Sequence, residues 1–219
     1  MAPSPTRFTL ALALVLPLLL PFGAAAADTT RLMAFGDSLV HGYGLDSEDT
    51  FPSQLEAALQ QRGHTVEVIN AGNSGDTTAG GLARLDWALA DQPDVVLVVL
   101  GANDGLRGLE PEQTQRNLTA LLTRLEEAGL PTLLAGMLAP RNLGGEYAEE
   151  FDALFPELAE NHPVVFYPFF LDGVAAEPAL NLGDGIHPNA AGVAEIVERI
   201  LPSVERLLER AASPPNAQS

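Results

Sequence analysis

"DVVLVVL", residues 94–100, decides how the rest of the chain is read. After its aspartate every position is Val or Leu, with no alternation of polar and apolar residues. A strand with one wet face alternates. A continuous β-branched run suits a strand covered on both faces, at the centre of a parallel sheet with helices above and below. Working outward, short apolar runs alternate with segments of helical spacing. Upstream, 31–35 reads as a strand. Residues 51–62 carry Phe51, Leu55, Ala58 and Leu59 at helical intervals and stop at Gly63. "HTVEVIN" (64–70) reads as a strand ending at Ala71-Gly72, and 77–90 as a helix of small residues. Downstream, the pattern predicts a helix over 111–128, opened by Pro111 and closed by Gly129. Then come a strand over 131–137, a helix over 146–160, a strand over 163–169, a loop to His187 and a last helix over 190–210. Five strands alternating with helices imply right-handed crossovers. The expected fold is α/β: three layers, α/β/α, on a five-stranded parallel sheet of flavodoxin-like order.

The chain has 219 residues and shows no linker within 31–210, so 28–210 is read as one domain. Residues 1–27 differ in kind. Arg7 is the only charge before Asp28, a Leu/Ala-rich stretch follows, and Ala24–Ala27 supply small residues at the spacing of a cleavage site. This reads as a secretory signal peptide, cut after Ala26 or Ala27, and places the mature protein in a bacterial periplasm or outside the cell. No later run is apolar enough over about 20 residues to span a bilayer, so no stable membrane insertion is expected after cleavage. Residues 211–219 read as a disordered tail. There is no cysteine, hence no disulfide, thiolate metal site or cysteine nucleophile. A net charge of −18 disfavours nucleic-acid binding. A monomer is the default expectation.

In parallel α/β sheets, ligands sit at the carboxyl ends of the strands. Three polar, glycine-containing clusters fall there: Gly36-Asp37-Ser38, Ala71-Gly72-Asn73 and Gly101-Ala102-Asn103-Asp104. Gly36-Asp37-Ser38 has a turn composition, since such residues supply left-handed angles and local hydrogen bonds. It also offers a serine. A serine hydrolase needs a base beside its nucleophile and a group to fix that base. Of four histidines, His64 and His162 precede strands, at the opposite rim. His41 is not excluded by position. His187 lies in "GDGIHPNAAG" (183–192), with Asp184 three residues earlier. That spacing lets a carboxylate meet Nδ1 and leaves Nε2 free to face a serine.

Together, "FGDSL" (35–39), Gly72, "GAND" (101–104) and "DGIHP" (184–188) resemble the four blocks of the GDSL, or SGNH, hydrolase family, in order and spacing. "GDSLVHGYGL", "NAGNSGDTTAGGLARLDWAL", "LGANDGLRG" and "DGIHPNAAG" are similar to its bacterial branch of periplasmic arylesterases and multifunctional acyl-CoA thioesterase/lysophospholipases. The resemblance implies an SGNH hydrolase fold and cofactor-free, metal-free cleavage of esters or thioesters through an acyl-enzyme. It implies Ser38 as nucleophile, His187 as base and Asp184 as its orienting acid. The backbone N–H groups of Ser38 and Gly72 and the Asn103 side-chain amide become the oxyanion donors. Ala102 departs from the family pattern, where a second glycine often stands, and bears on the acyl pocket. Two other readings stay open: a carbohydrate O-deacetylase using the same triad, and a non-catalytic lipid- or sugar-binding module.

Elsewhere, the "AGMLAPRNLGGEY" (135–147) and "FFLDGVAAEPALNL" (169–182) loops are expected to line an acyl site. Asn117-Leu118-Thr119 matches a glycosylation sequon by coincidence, since it falls within a helix. Trp87 is expected to pack a helix. Gly42-x-Gly44 lacks the third glycine of a dinucleotide fingerprint, and no metal motif is present.

Overall fold

A computed structural model of the chain describes Met1 and residues 29–212. The expected leader and the tail beyond residue 212 lie outside the described residues. Five parallel strands run in the order β2-β1-β3-β4-β5. They are β1 (Thr30–Gly36), β2 (Val66–Gly72), β3 (Val95–Val99), β4 (Thr132–Ala135) and β5 (Val165–Tyr167). β3 lies between β1 and β4, and all five of its residues are fully buried. The unbroken Val/Leu run therefore has the cause inferred from it. β2 and the three-residue β5 form the two edges.

The helices are α1 (Ser38–His41), α2 (Phe51–Gln61), α3 (Thr78–Ala88), α4 (Ala102–Leu106), α5 (Pro111–Glu127), α6 (Gly145–Asn161) and α7 (Ala190–Ala212). α2 packs on α7 over one face of the sheet, and α3, α5 and α6 cover the other. The apolar stripe of α5, Leu118, Leu121, Leu122 and Leu125, meets the sheet at i, i+3, i+4 and i+7. α7 does the same from Val193 to Leu207. Pro156 in α6 and Pro202 in α7 sit on solvent-facing positions. The carbonyls they leave without an N–H partner therefore fall on the outer face of each helix.

Three details depart from the sequence reading. α7 runs two residues further than expected, so Ala211 and Ala212 are helical rather than tail. Trp87 does not pack: the buried face of α3 is Thr78, Gly81, Leu85 and Ala88, and Trp87 falls on the opposite side, 76% exposed. α1 and α4 are one turn each, too short to leave a periodicity in sequence.

The strand order reverses at β1 and β3. The chain steps from β1 outward to β2, then crosses back to β3 on the other side. A crevice opens at such a point beyond the carboxyl ends of the two strands. α1 starts on one side of it and α4 on the other.

Candidate active site

Gly36 ends β1, paired with Gly72 on one side and Val99 on the other. Its φ is not left-handed; the turn conformation comes later, at Gly42 (φ 87°) and Gly44 (φ 75°). Glycine is needed at 36 for space, because a Cβ there would overlap the Val40 side chain and the Val99 carbonyl. Asp37 is fully buried and caps α1: its Oδ1 accepts from Leu39 N at 3.0 Å. Its Oδ2 accepts from Asn103 Nδ2 at 3.2 Å. Burial pushes the Asp37 carboxyl up to about 6, against the pull of those two hydrogen bonds. Ser38 is the first residue of α1.

His187 comes from the far end of the chain. The loop that carries it is closed by Leu182 N donating to His187 O at 2.7 Å and by a bridge between Asn181 and Pro188. His187 Nε2 lies 3.0 Å from Ser38 Oγ, across 149 residues of sequence. Its Nδ1 lies 2.6 Å from Asp184 Oδ2. The other carboxylate oxygen of Asp184 accepts from Ile186 N at 2.9 Å and His187 N at 3.0 Å. These bonds, the His187 backbone N–H first, hold the Asp184 carboxyl down at about 2. An ionised carboxylate only accepts, so it assigns the proton to Nδ1 and leaves Nε2 to accept from the serine hydroxyl.

Gly72 ends β2 against the turn of α1, where a Cβ would collide with the backbone of Val40 and His41. Its N–H donates to Asn70 Oδ1 at 3.0 Å. Asn103 is the second residue of α4, and its Nδ2 also donates to Asp76 O, at 2.9 Å. Ser38 N–H, at the first turn of α1, has no intrahelical partner. Of the three expected oxyanion donors, Gly72 and Asn103 are engaged by neighbouring acceptors, and Ser38 and Asn103 line one cavity whereas Gly72 is not in its lining.

A cavity of about 660 Å³ starts at Ser38 and His187. Both loops singled out in the sequence line it, through Met137, Leu138 and Pro140 on one side and Phe169, Leu171 and Ala175 on the other. Its walls are mostly apolar. Ala102 is in the lining too, in ordinary helical conformation. Among the described residues no group of three or more His, Asp or Glu could hold a metal ion.

The other histidines stand apart. His64 meets Glu205 at 3.3 Å, and His162 Nδ1 lies 3.6 Å from Glu126. His41 is exposed at the end of α1, and its carbonyl accepts from Asn70 Nδ2. Asn117 is buried, donating to Thr78 Oγ1 and accepting from Gln113, so the sequon has no exposed amide. The sequence reading missed Tyr43, whose ring lies over His187 with centroids 4.5 Å apart. Nothing in its spacing singles it out.

The model of the GDSL-like lipase/acylhydrolase family matches residues 34–194. The chain is 44% identical over 172 residues to the thioesterase 1/protease 1/lysophospholipase L1 of Escherichia coli K12, covering 78% of this chain and 80% of that protein. It is 41% identical over 166 residues to an arylesterase of Vibrio mimicus, covering 75% and 83%. Among solved structures, a crystal structure of TesA superposes with a TM-score of 0.77 at 37% identity, covering 81% of this chain and 99% of that one.

Proposed function

The chain belongs to the GDSL-like lipase/acylhydrolase family and is an esterase of that family, and from this premise we propose that it cleaves carboxylic esters or thioesters of apolar acyl groups through an acyl-enzyme on Ser38. One observation carries the proposal: an unbroken hydrogen-bonded line from Ser38 Oγ through His187 to Asp184, standing at the lip of an apolar cavity.

With the acyl chain against Met137, Leu138 and Phe169, the carbonyl carbon reaches Ser38 Oγ. His187 Nε2 takes the hydroxyl proton as the C–O bond forms. Asp184 steadies the imidazolium, its own proton affinity kept low by three hydrogen bonds. The tetrahedral oxyanion meets the N–H groups of Ser38 and Gly72 and the Asn103 amide. Preorganised donors of this kind are worth most in a site that excludes water. His187 then passes its proton to the leaving alcohol or thiol, and water repeats the sequence on the acyl-enzyme. The apolar walls favour a fatty-acyl ester over an acetylated sugar. We also propose that the mature chain acts outside the cytoplasm, on the strength of the leader-like residues 1–27.

The test is a panel of nitrophenyl esters, acyl-CoA thioesters and lysophospholipids of graded chain length, alongside a fluorophosphonate probe. We expect ester turnover and a phosphonyl adduct mapped to Ser38 by peptide mass spectrometry. Turnover with the adduct elsewhere, or no adduct at all, removes Ser38 as the nucleophile.

A further inference from the structure

We propose that Arg84, on α3 and outside the cavity lining, is a positioning residue for the reaction: its guanidinium ties the loop that carries Ser38 to the loop that aims the Asn103 amide. The inference rests on the reading of Asn103 as an oxyanion donor.

The geometry is a fork with two loops in its prongs. Arg84 Nε donates to Asp76 Oδ2 at 2.6 Å, and a terminal nitrogen donates to Gly36 O at 2.8 Å. Gly36 stands two residues before Ser38. Its carbonyl also accepts from Asn73 N at 2.9 Å, so the ends of β1 and β2 are fastened together there. Asp76 is held on its other oxygen by Asn73 Nδ2 at 2.7 Å. With its side chain fixed at both oxygens, Asp76 turns its main-chain carbonyl to Asn103 Nδ2 at 2.9 Å. One N–H of the Asn103 amide is thereby spent on orientation. The other faces Asp37 Oδ2 and is the one a developing oxyanion would share.

The pair is not an ordinary surface ion pair. The side chains of Arg84 and Asp76 are only 19% and 12% exposed, and the guanidinium lies 4.1 Å from the centre of the Phe35 ring. A planar fork reaches two acceptors at once while stacking on an aromatic face, which an ammonium does not do. A pair needed only for solubility or stability would have no reason to bridge the backbone behind the nucleophile to the carbonyl behind the amide donor.

The experiment is a double-mutant cycle between Arg84→Met and Asn103→Ala, reading kcat and KM with a short-chain nitrophenyl ester and the unfolding midpoint of each variant. Methionine keeps an unbranched apolar stem on α3 and removes the fork together with its contact over Phe35. Asn103→Ala is expected to lower kcat about 10²–10³-fold, as loss of one oxyanion donor does. Arg84→Met is expected to lower kcat about 10–10²-fold through misplacement of that donor, with KM within about twofold of the parent. In the Asn103→Ala background it should then cost nothing more. The same factor lost in both backgrounds, or an Arg84→Met enzyme of full activity, overturns the role of Arg84. An Asn103→Ala enzyme of full activity overturns the oxyanion reading itself. If Arg84→Met does not fold, Asp76→Asn replaces it in the cycle under the same criteria, because it keeps the carbonyl to Asn103 and removes the anion that the fork grips.

Discussion

Asp184 holds His187 twice: Oδ2 meets the ring Nδ1 at 2.6 Å, and Oδ1 accepts the histidine's own backbone N–H at 3.0 Å. Acid and base are therefore fixed to each other before either is fixed to Ser38. Changing Asp184→Asn keeps an acceptor for the backbone but can turn an amide N–H toward Nδ1. That favours the tautomer with its proton on Nε2, where it cannot accept from serine. We expect kcat to fall on the order of 10⁴-fold with the fold intact, checked by steady-state kinetics and circular dichroism. A loss under tenfold would show that the carboxylate does not set the tautomer.

Asp37 gives a pH dependence of stability with a defined sign. Its carboxyl is raised from 3.8 to about 6 in the folded chain, chiefly by burial. The folded state therefore binds the proton more tightly than the unfolded state. The stability this contributes is complete below pH 3.8 and is lost as pH rises through 6, by about 3 kcal/mol in all. Asn at this position caps a helix as well as Asp and does not titrate. Denaturant unfolding of the parent and of Asp37→Asn from pH 3.5 to 7 should show the parent losing that amount relative to the variant. Parallel curves would remove the buried carboxyl as their cause.

Gly72→Ala puts a methyl group into the backbone of Val40 and His41. Since that turn is α1 itself, the strain falls on the element that opens with Ser38. We expect a loss of about 1–3 kcal/mol in stability together with lower kcat. An active variant of parental stability would show that the two segments separate easily. Denaturant titration and initial rates read both effects.

Pro202 lies inside α7 on its outer face. Proline in a helix interior costs about 3 kcal/mol against alanine, offset by up to about 1 kcal/mol from its stiffer unfolded chain. Pro202→Ala is expected to stabilise by about 2 kcal/mol without changing kcat. Pro156→Ala in α6 should behave alike. Thermal and denaturant unfolding decide it; a destabilised variant would mean that the ring packs on something the helix needs.

The sheet was legible because β3 is a short, β-branched apolar run bounded by polar and glycine residues, the composition that suits a strand buried on both faces. Its observed order is one of several that right-handed crossovers allow, whereas the shared rim of Gly36, Gly72 and Asn103 follows from their places just at or beyond the carboxyl ends of parallel strands. The juxtaposition of Ser38 with His187 was legible only through four short blocks taken together, since nothing local at Ser38 specifies a partner 149 residues away. Gly36 was misjudged in kind: sequence cannot separate a glycine needed for its angles from one needed for its bulk. Trp87 was misplaced because α3 is rich in small residues, so its apolar face is weakly marked. Arg84 and Tyr43 act through reach and stacking, which leave no periodicity behind.

The two margins of the sheet have a consequence for behaviour in concentrated solution. A flat, unpaired margin invites another chain to add itself. β5 offers three residues between Pro163 and Pro168, neither of which has an N–H to give. β2 carries exposed Glu67 and Asn70 at its margin, and Glu67 is paired to Arg31. Both sides are poor templates for strand-by-strand growth, so partly opened molecules of this cysteine-free chain are guarded against fibrous self-association by backbone chemistry and charge.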